Sequence, residues 1–286
     1  MESYNDLTQD RRIAICCLNN LRNEAGVNKY FLDLSLDQMR TIIICALNKP
    51  NAQCNYASLK MNLISLTNTR ILDWIKTDKN ACYYLYLRMR MVSDINLLMS
   101  QMTSTFPINH ERRYELILSV LDAFNTAYKI NYEYYIVKQR EEWLTTIQEK
   151  NPFIWLKKID EETAKYILED HMKKIPNYCK EESLLNRFFD IKPQTHEERC
   201  LAIIAIFNSW EVPSDTKKLF LLNLKRSISI INFRKRQKKN HRIAFQTYIS
   251  QTTKNKLKEL AHSKELPINS YLESLIDRIY SERKTK

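Results

Sequence analysis

One glycine, Gly26, stands in a chain of 286 residues, and that fact removes whole classes of architecture. A phosphate-binding loop or a dinucleotide-binding turn needs several glycines, because only a residue without Cβ lets backbone N–H groups close on a phosphate. The seven prolines are almost as sparing. With breakers this rare and Leu, Ile, Lys, Glu and Asn abundant, the chain is expected to be mainly α. Its length suits one large domain or two to three small ones. A composition 44% apolar and 27% charged is ordinary for a globular protein. No apolar run reaches the length of a membrane span, and MESYNDLTQDRR lacks the charged-then-apolar layout of a signal peptide. A cytoplasmic protein with no membrane partner is therefore expected.

Groups that carry chemistry are present but not arranged. The seven cysteines (16, 17, 45, 54, 82, 179, 200) are odd in number and form no CxxC pair. Several sit in apolar helical patterns, where a thiol packs as a small hydrophobe. The five histidines (110, 171, 196, 241, 262) make no HExxH or HxxxH spacing, so no metal is expected. Glu141-Glu142, Glu161-Glu162 and Glu181-Glu182 are adjacent, and neighbours on a helix point apart, unlike an acid/base dyad. No base or cation lies near Cys16-Cys17 to lower a thiol pKa, and no Arg-His-Arg set surrounds any of the 16 tyrosines as in a recombinase. No enzyme activity and no cofactor are expected.

The net charge of +12 is confined to one end. Residues 217–286 hold 18 Lys and Arg against 5 Asp and Glu, a net of +13; residues 1–216 hold 27 against 28. A basic solvated tail is the plain interpretation. Concentration at one end instead points to a polyanion partner.

Along the chain, 8–24 carries a helical apolar pattern ending before Gly26, read as its C′ residue. Ser35 with Gln38 forms a capping box for a helix running to Asn48-Lys49-Pro50, and a third helix is expected over 57–66. From Ile71 a repeat begins: ILDWIKTDKNACYYLYLRMR (71–90) is similar to PFIWLKKIDEETAKYILEDHMKK (152–174), and NHERRYELILSVLDAFN (109–125) to THEERCLAIIAIFNSW (195–210). His110-Glu111 aligns with His196-Glu197, Asn109 and Thr195 are the caps, and Thr195 with Glu198 reads as a capping box. A long helix, 214–239, starts at a Ser214 cap after Pro213 and turns wholly basic at its end.

Beyond it, RIAFQTYIS (242–250) alternates with period two. Ile243, Phe245, Thr247 and Ile249 share one face, and Ala244, Gln246 and Tyr248 the other. A lone strand needs a partner, and the same strand of a second copy makes a two-stranded ribbon across a two-fold axis. Such a ribbon fits the major groove of duplex DNA, where Gln246 can pair with adenine and Tyr248 can meet a base or phosphate. Two helices follow, Thr252–Ser263 and one capped by Asn269 after Pro267, with a stripe of Leu272, Leu275, Ile276, Ile279 and Tyr280. The amide groups of the last helix around Asn269 and Ser270 suit a phosphate. Without the ribbon, the same pair reads as a terminal helical hairpin. RKRQKK alone also suits an anionic membrane or a nuclear address, but neither accounts for the strand and helices after it.

Strand, helix, helix at this spacing resembles the ribbon-helix-helix fold. The wider order resembles the MatP family of chromosome-terminus organisers, on FIWLKKIDEETAKYILEDH (153–171), FNSWEVPSDTKKLFLLNLKRSISIINFRKRQKKN (207–240) and LKELAHSKELPINSYLESLID (257–277). The resemblance implies a homodimer on a short palindromic site, with base contacts from Ala244, Gln246 and Tyr248. Backbone contacts would come from Arg234, Lys235, Arg236, Lys238, Lys239, Arg242, Asn269 and Ser270. Glu265 stands where that family has a glycine between the two helices, so a different turn, built on Pro267, is expected. The sequence runs only a few residues past Tyr280 and residues 1–150 have no counterpart in that family, so the family's coiled coil is not expected here.

Four parts are thus expected: a helical unit at 1–68, a module at 70–150 as first copy of the repeat, a MatP-like bundle at 151–240, and a ribbon-helix-helix domain at 241–286. The expected function is site-specific double-stranded DNA binding that organises or segregates a replicon, at the nucleoid. The alternatives are a ribbon-helix-helix repressor, or an effector or enzyme in 1–150 delivered by the C-terminus; 1–150 is also where a protein partner would dock.

Overall fold

A computed structural model describes residues 4–22, 30–49, 56–147, 152–173, 175, 191–239 and 247–284, and regular structure among them is helical throughout. The chain divides into two compact units, 1–228 and 229–286.

In the first unit, α1 (Arg11–Asn20) is capped by Asp10, whose side chain accepts from the Arg12 amide. The helix closes at Asn20 with Leu21 as its C-cap, well before Gly26, which lies outside the described residues. The expected capping box opens α2 (Leu36–Leu47): Ser35 Oγ accepts from Gln38 N at 3.2 Å and Gln38 Oε1 from Ser35 N at 2.8 Å. α3 covers Tyr56–Leu63.

The centre is α5 (Lys79–Met91), in which every residue from Ala81 to Leu87 is buried. A helix apolar on all sides is stable only when surrounded. α4 (Asp73–Thr77), α6 (Ser93–Met102), α7 (His110–Ala123) and α10 (His196–Ser209) pack around it. α8 (Glu133–Glu142) adds a polar tie, Tyr84 Oη donating to Gln139 Oε1 at 3.0 Å. Trp143 stacks on Tyr84, while Trp210 and Phe207 hold Phe220 of α11 (Ser214–Lys239).

α1 is tied to α7 by a bidentate pair, Arg12 on Asp122 at 2.7 and 2.8 Å, and Asp122 also accepts from Thr67 N. One hydrophobic core cluster joins described residues from Leu7 to Ile228. The two segments matched by the repeat share a local order. In the first, a short helix holds Trp74, Asp78 caps α5, and Asn109 caps α7. In the second, Trp155 lies in a 3-10 turn, Asp160 caps α9 (Glu161–Tyr166) and Thr195 caps α10.

Half of the box expected at Thr195 is used differently. Thr195 Oγ1 accepts from Glu198 N at 3.2 Å, but the Glu198 carboxylate turns inward to Arg113. Arg113 is fully buried and lies 3.8 Å from the centroid of the Tyr83 ring. Burial raises the Glu198 carboxyl above its usual range, and the Arg113 cation opposes that.

The helix starts expected at Ser214 and Asn269 are each shifted by a proline. The Pro213 carbonyl accepts from Thr216 and Lys217, so Ser214 is the first helical residue and not the cap. The Pro267 carbonyl accepts from Tyr271 at 2.9 Å, which opens α13 (Ile268–Lys284) and puts Asn269 inside its first turn. Each proline stands just before the first helical residue, and its carbonyl takes the first helical bond.

Candidate nucleic-acid interface

In the second unit α11 ends in two cationic turns. Arg234, Arg236, Lys238 and Lys239 are exposed and Lys235 is half-buried. On a helix, 234 stacks on 238 and 235 on 239, giving two adjacent rows of positive charge. Cations in a last turn also suit the helix dipole, at about 0.3–1 kcal/mol each.

Residues 240–246 lie outside the described residues, and with them Arg242, Ala244 and Gln246. The described part of the expected strand, 247–250, has no strand structure. The physical reason is that ladder bonds come from a neighbouring strand, and the described residues contain none. Tyr248 is 99% exposed. Ser250 serves the next helix instead, since its Oγ accepts from Thr253 N at 3.1 Å and caps α12 (Gln251–Ser263). That cap was legible as a serine before a polar first turn.

α12 ends in a Schellman motif. Leu266 N bonds to Ala261 O at 3.1 Å and Glu265 N to His262 O at 3.0 Å. The motif requires a left-handed residue, and Glu265 supplies it with φ 54°. The turn is therefore made in the way a glycine would make it, which corrects the expectation of a different turn built on Pro267. A Cβ in that conformation costs roughly 1 kcal/mol.

Among the described residues after 228, Ala261 is the only buried one. Ile249, Leu260, Leu266, Ile276, Ile279 and Tyr280 all remain 42% exposed or more. α12 and α13 touch each other; their helical stripes are only partly covered. Asn269 and Ser270 stand in the first turn of α13, where amide groups lack intrahelical acceptors.

Several charged groups of the first unit are engaged with one another. A cleft of about 280 Å³ opens beside the 103–108 loop, but Asp33 there accepts from Ser104 and Thr103, and Arg112 pairs with Glu115 at 2.8 Å. His110 Nε2 lies 2.8 Å from Lys76 O, and Glu161 pairs with Arg199 at 2.6 Å. Burial pushes the Cys16 thiol up to about 11, so it stays protonated and unreactive at neutral pH. Among the described residues no three His, Cys, Asp or Glu side chains converge, and no helix is long and apolar enough to cross a membrane.

No family model, no curated protein and no solved structure matches the chain.

Proposed function

We propose that the chain is a site-specific double-stranded DNA-binding protein, acting as a homodimer built through its C-terminal unit in the manner of ribbon-helix-helix proteins and of the MatP family. One observation carries the reading. A unit of 58 residues, which includes a helix end of five cations, buries a single described side chain and leaves its apolar helical stripes open. So small a unit has too little interior of its own. A second copy covers the open stripes and gives the 242–250 segment a partner strand.

In this reading Ala244, Gln246 and Tyr248 face base edges in the major groove. Arg234, Lys235, Arg236, Lys238, Lys239 and Arg242 meet phosphates, joined by the first turn of α13 at Asn269 and Ser270. The role is to organise or segregate a chromosome or other replicon within the nucleoid, and catalysis has no part in it. A repressor would use the same chemistry at one promoter, whereas an organiser occupies many dispersed sites; genome-wide occupancy separates them.

Selection from random duplexes with the purified chain tests the reading. A palindromic winner is expected, and absence of any enriched site overturns it. With about 6–10 phosphates neutralised per dimer, log K falls with log salt at a slope of roughly −5 to −9. Gln246→Ala is expected to cost about 1–3 kcal/mol of preference at one position of each half-site.

A further inference from the structure

Between Asp215 and Glu259 the chain has no acidic residue. Those 43 residues carry 13 Lys and Arg, where a content of 33 acids in 286 would place about five acids. The longest helical stretch of this interval belongs to α11. An exposed helix ordinarily offsets its cations with carboxylates three or four positions away. Lys225 and Arg226 have only uncharged residues at those positions, and neither has an ion-pair partner among the described residues.

The helix sorts these side chains by azimuth. Phe220, Leu224 and Ile228 form the buried stripe. At 100° per residue, Lys225, Ser229, Asn232 and Arg236 fall in one row about a quarter-turn from it. All four are exposed, and each can donate a hydrogen bond. Row neighbours stand about 5–6 Å apart, and the row leads into the basic end of the helix. Arg226 lies off this row, about a further quarter-turn round, between the exposed apolar residues Leu222 and Ile230.

We propose that the row Lys225, Ser229, Asn232 and Arg236 is a second strip of phosphate contact, so that the DNA-binding surface of α11 begins at Lys225 and not at Arg234. A line of donors with no carboxylate, at helical spacing, is suited to the sugar–phosphate edge of a duplex, which offers acceptors only and carries no sequence information. The proposal rests on the DNA-binding reading given above, and its failure can be told apart from failure of that reading.

The test uses the full chain and a fluorescent duplex of random sequence, titrated by anisotropy across a salt series. Lys225→Ala is expected to make the salt slope shallower by about 0.9 for each phosphate no longer neutralised, close to 2 for a dimer. Asn232→Ala weakens binding without changing the slope, because the hydrogen bond it removes is uncharged. Arg226→Ala, an equal charge change one position away, leaves the slope at the wild-type value. All three place alanine on an exposed helix surface, which favours the fold. An unaltered slope in Lys225→Ala, or equal losses in Lys225→Ala and Arg226→Ala, overturns the row in favour of diffuse attraction. A wild-type chain with no salt-dependent duplex binding overturns the DNA reading itself, and the row with it.

Discussion

Replacing Ile276 by Asp tests the proposed homodimer most directly. Ile276 is 63% exposed in the single chain, although it lies on the stripe that α13 shares with Leu272, Leu275 and Ile279. Fully burying an isoleucine is worth about 1.5–3 kcal/mol, so covering nearly two-thirds of one contributes about 1–2 kcal/mol. A two-fold interface counts it twice, about 2–4 kcal/mol per dimer. At 1.4 kcal/mol per tenfold, losing it raises the dissociation constant by roughly 30- to 700-fold, and a desolvated carboxylate adds to that. Sedimentation equilibrium over a dilution series reads the constant. Tyr134→Asp is the control: Tyr134 is 81% exposed, more open than Ile276, but sits on α8 in the first unit. It is expected to leave association unchanged. Because the C-terminal unit buries so little alone, its helices are expected to lose far-UV dichroism on dilution, through the same midpoint as the mass. A wild-type chain that stays monomeric where it binds DNA refutes the reasoning, as does an Ile276→Asp dimer of unchanged strength.

Three further outcomes follow from the geometry. Arg113→Met and Glu198→Leu, taken singly, each strand a buried charge and are expected to cost about 3–5 kcal/mol in urea unfolding, whereas the double variant recovers most of it or exceeds the wild type; additive losses would refute the pairing. Burial already raises the Glu198 carboxyl, and Arg113→Met raises it further. A raised carboxyl favours the folded state at low pH and loses that contribution as pH rises through the raised value. The cost of Arg113→Met should therefore shrink as pH falls toward the ordinary glutamate value of about 4.3, and a pH-independent cost would contradict it. Glu265→Gly relieves the left-handed Cβ at φ 54° and is expected to stabilise the C-terminal unit by up to about 1 kcal/mol, while Glu265→Val destabilises it, read from thermal melts. Exposed Cys45 is expected to alkylate first near pH 8, with buried Cys16 reacting only on unfolding; simultaneous modification in the native state would show the α1 environment to be open.

What the sequence made legible is what its near neighbours decide. The Ser35–Gln38 box joins residues three apart, and the Asn109 and Thr195 caps act within one turn, so spacing alone located them. Ser214 and Asn269 carry cap-forming side chains, but here a proline carbonyl one or two residues earlier takes the first helical bond. Glu198 shows the limit more sharply. Its carboxylate chose between a backbone amide three residues back and a guanidinium 85 positions away, and only the packing of α7 and α10 on α5 brings the second within reach. Glu265 was read by identity rather than conformation: glutamate does not advertise a left-handed turn, yet the hydrogen bonds on either side impose one. The alternating segment 242–250 stands apart, since alternation specifies two faces but not the chain that pairs with them.

The aromatic packing of the first unit partitions the protein optically. All four tryptophans, Trp74, Trp143, Trp155 and Trp210, precede residue 228. Two of them sit in its core, Trp143 on Tyr84 and Trp210 between Phe207 and Phe220. The C-terminal unit has three tyrosines and no tryptophan, with Tyr248 and Tyr280 open to solvent. Tryptophan emission is thus a private channel for the helical body, and tyrosine emission excited at the blue edge belongs in part to the segment beyond it. A melt followed at both wavelengths will report two events where the units unfold separately and one where they do not, with no label added to either.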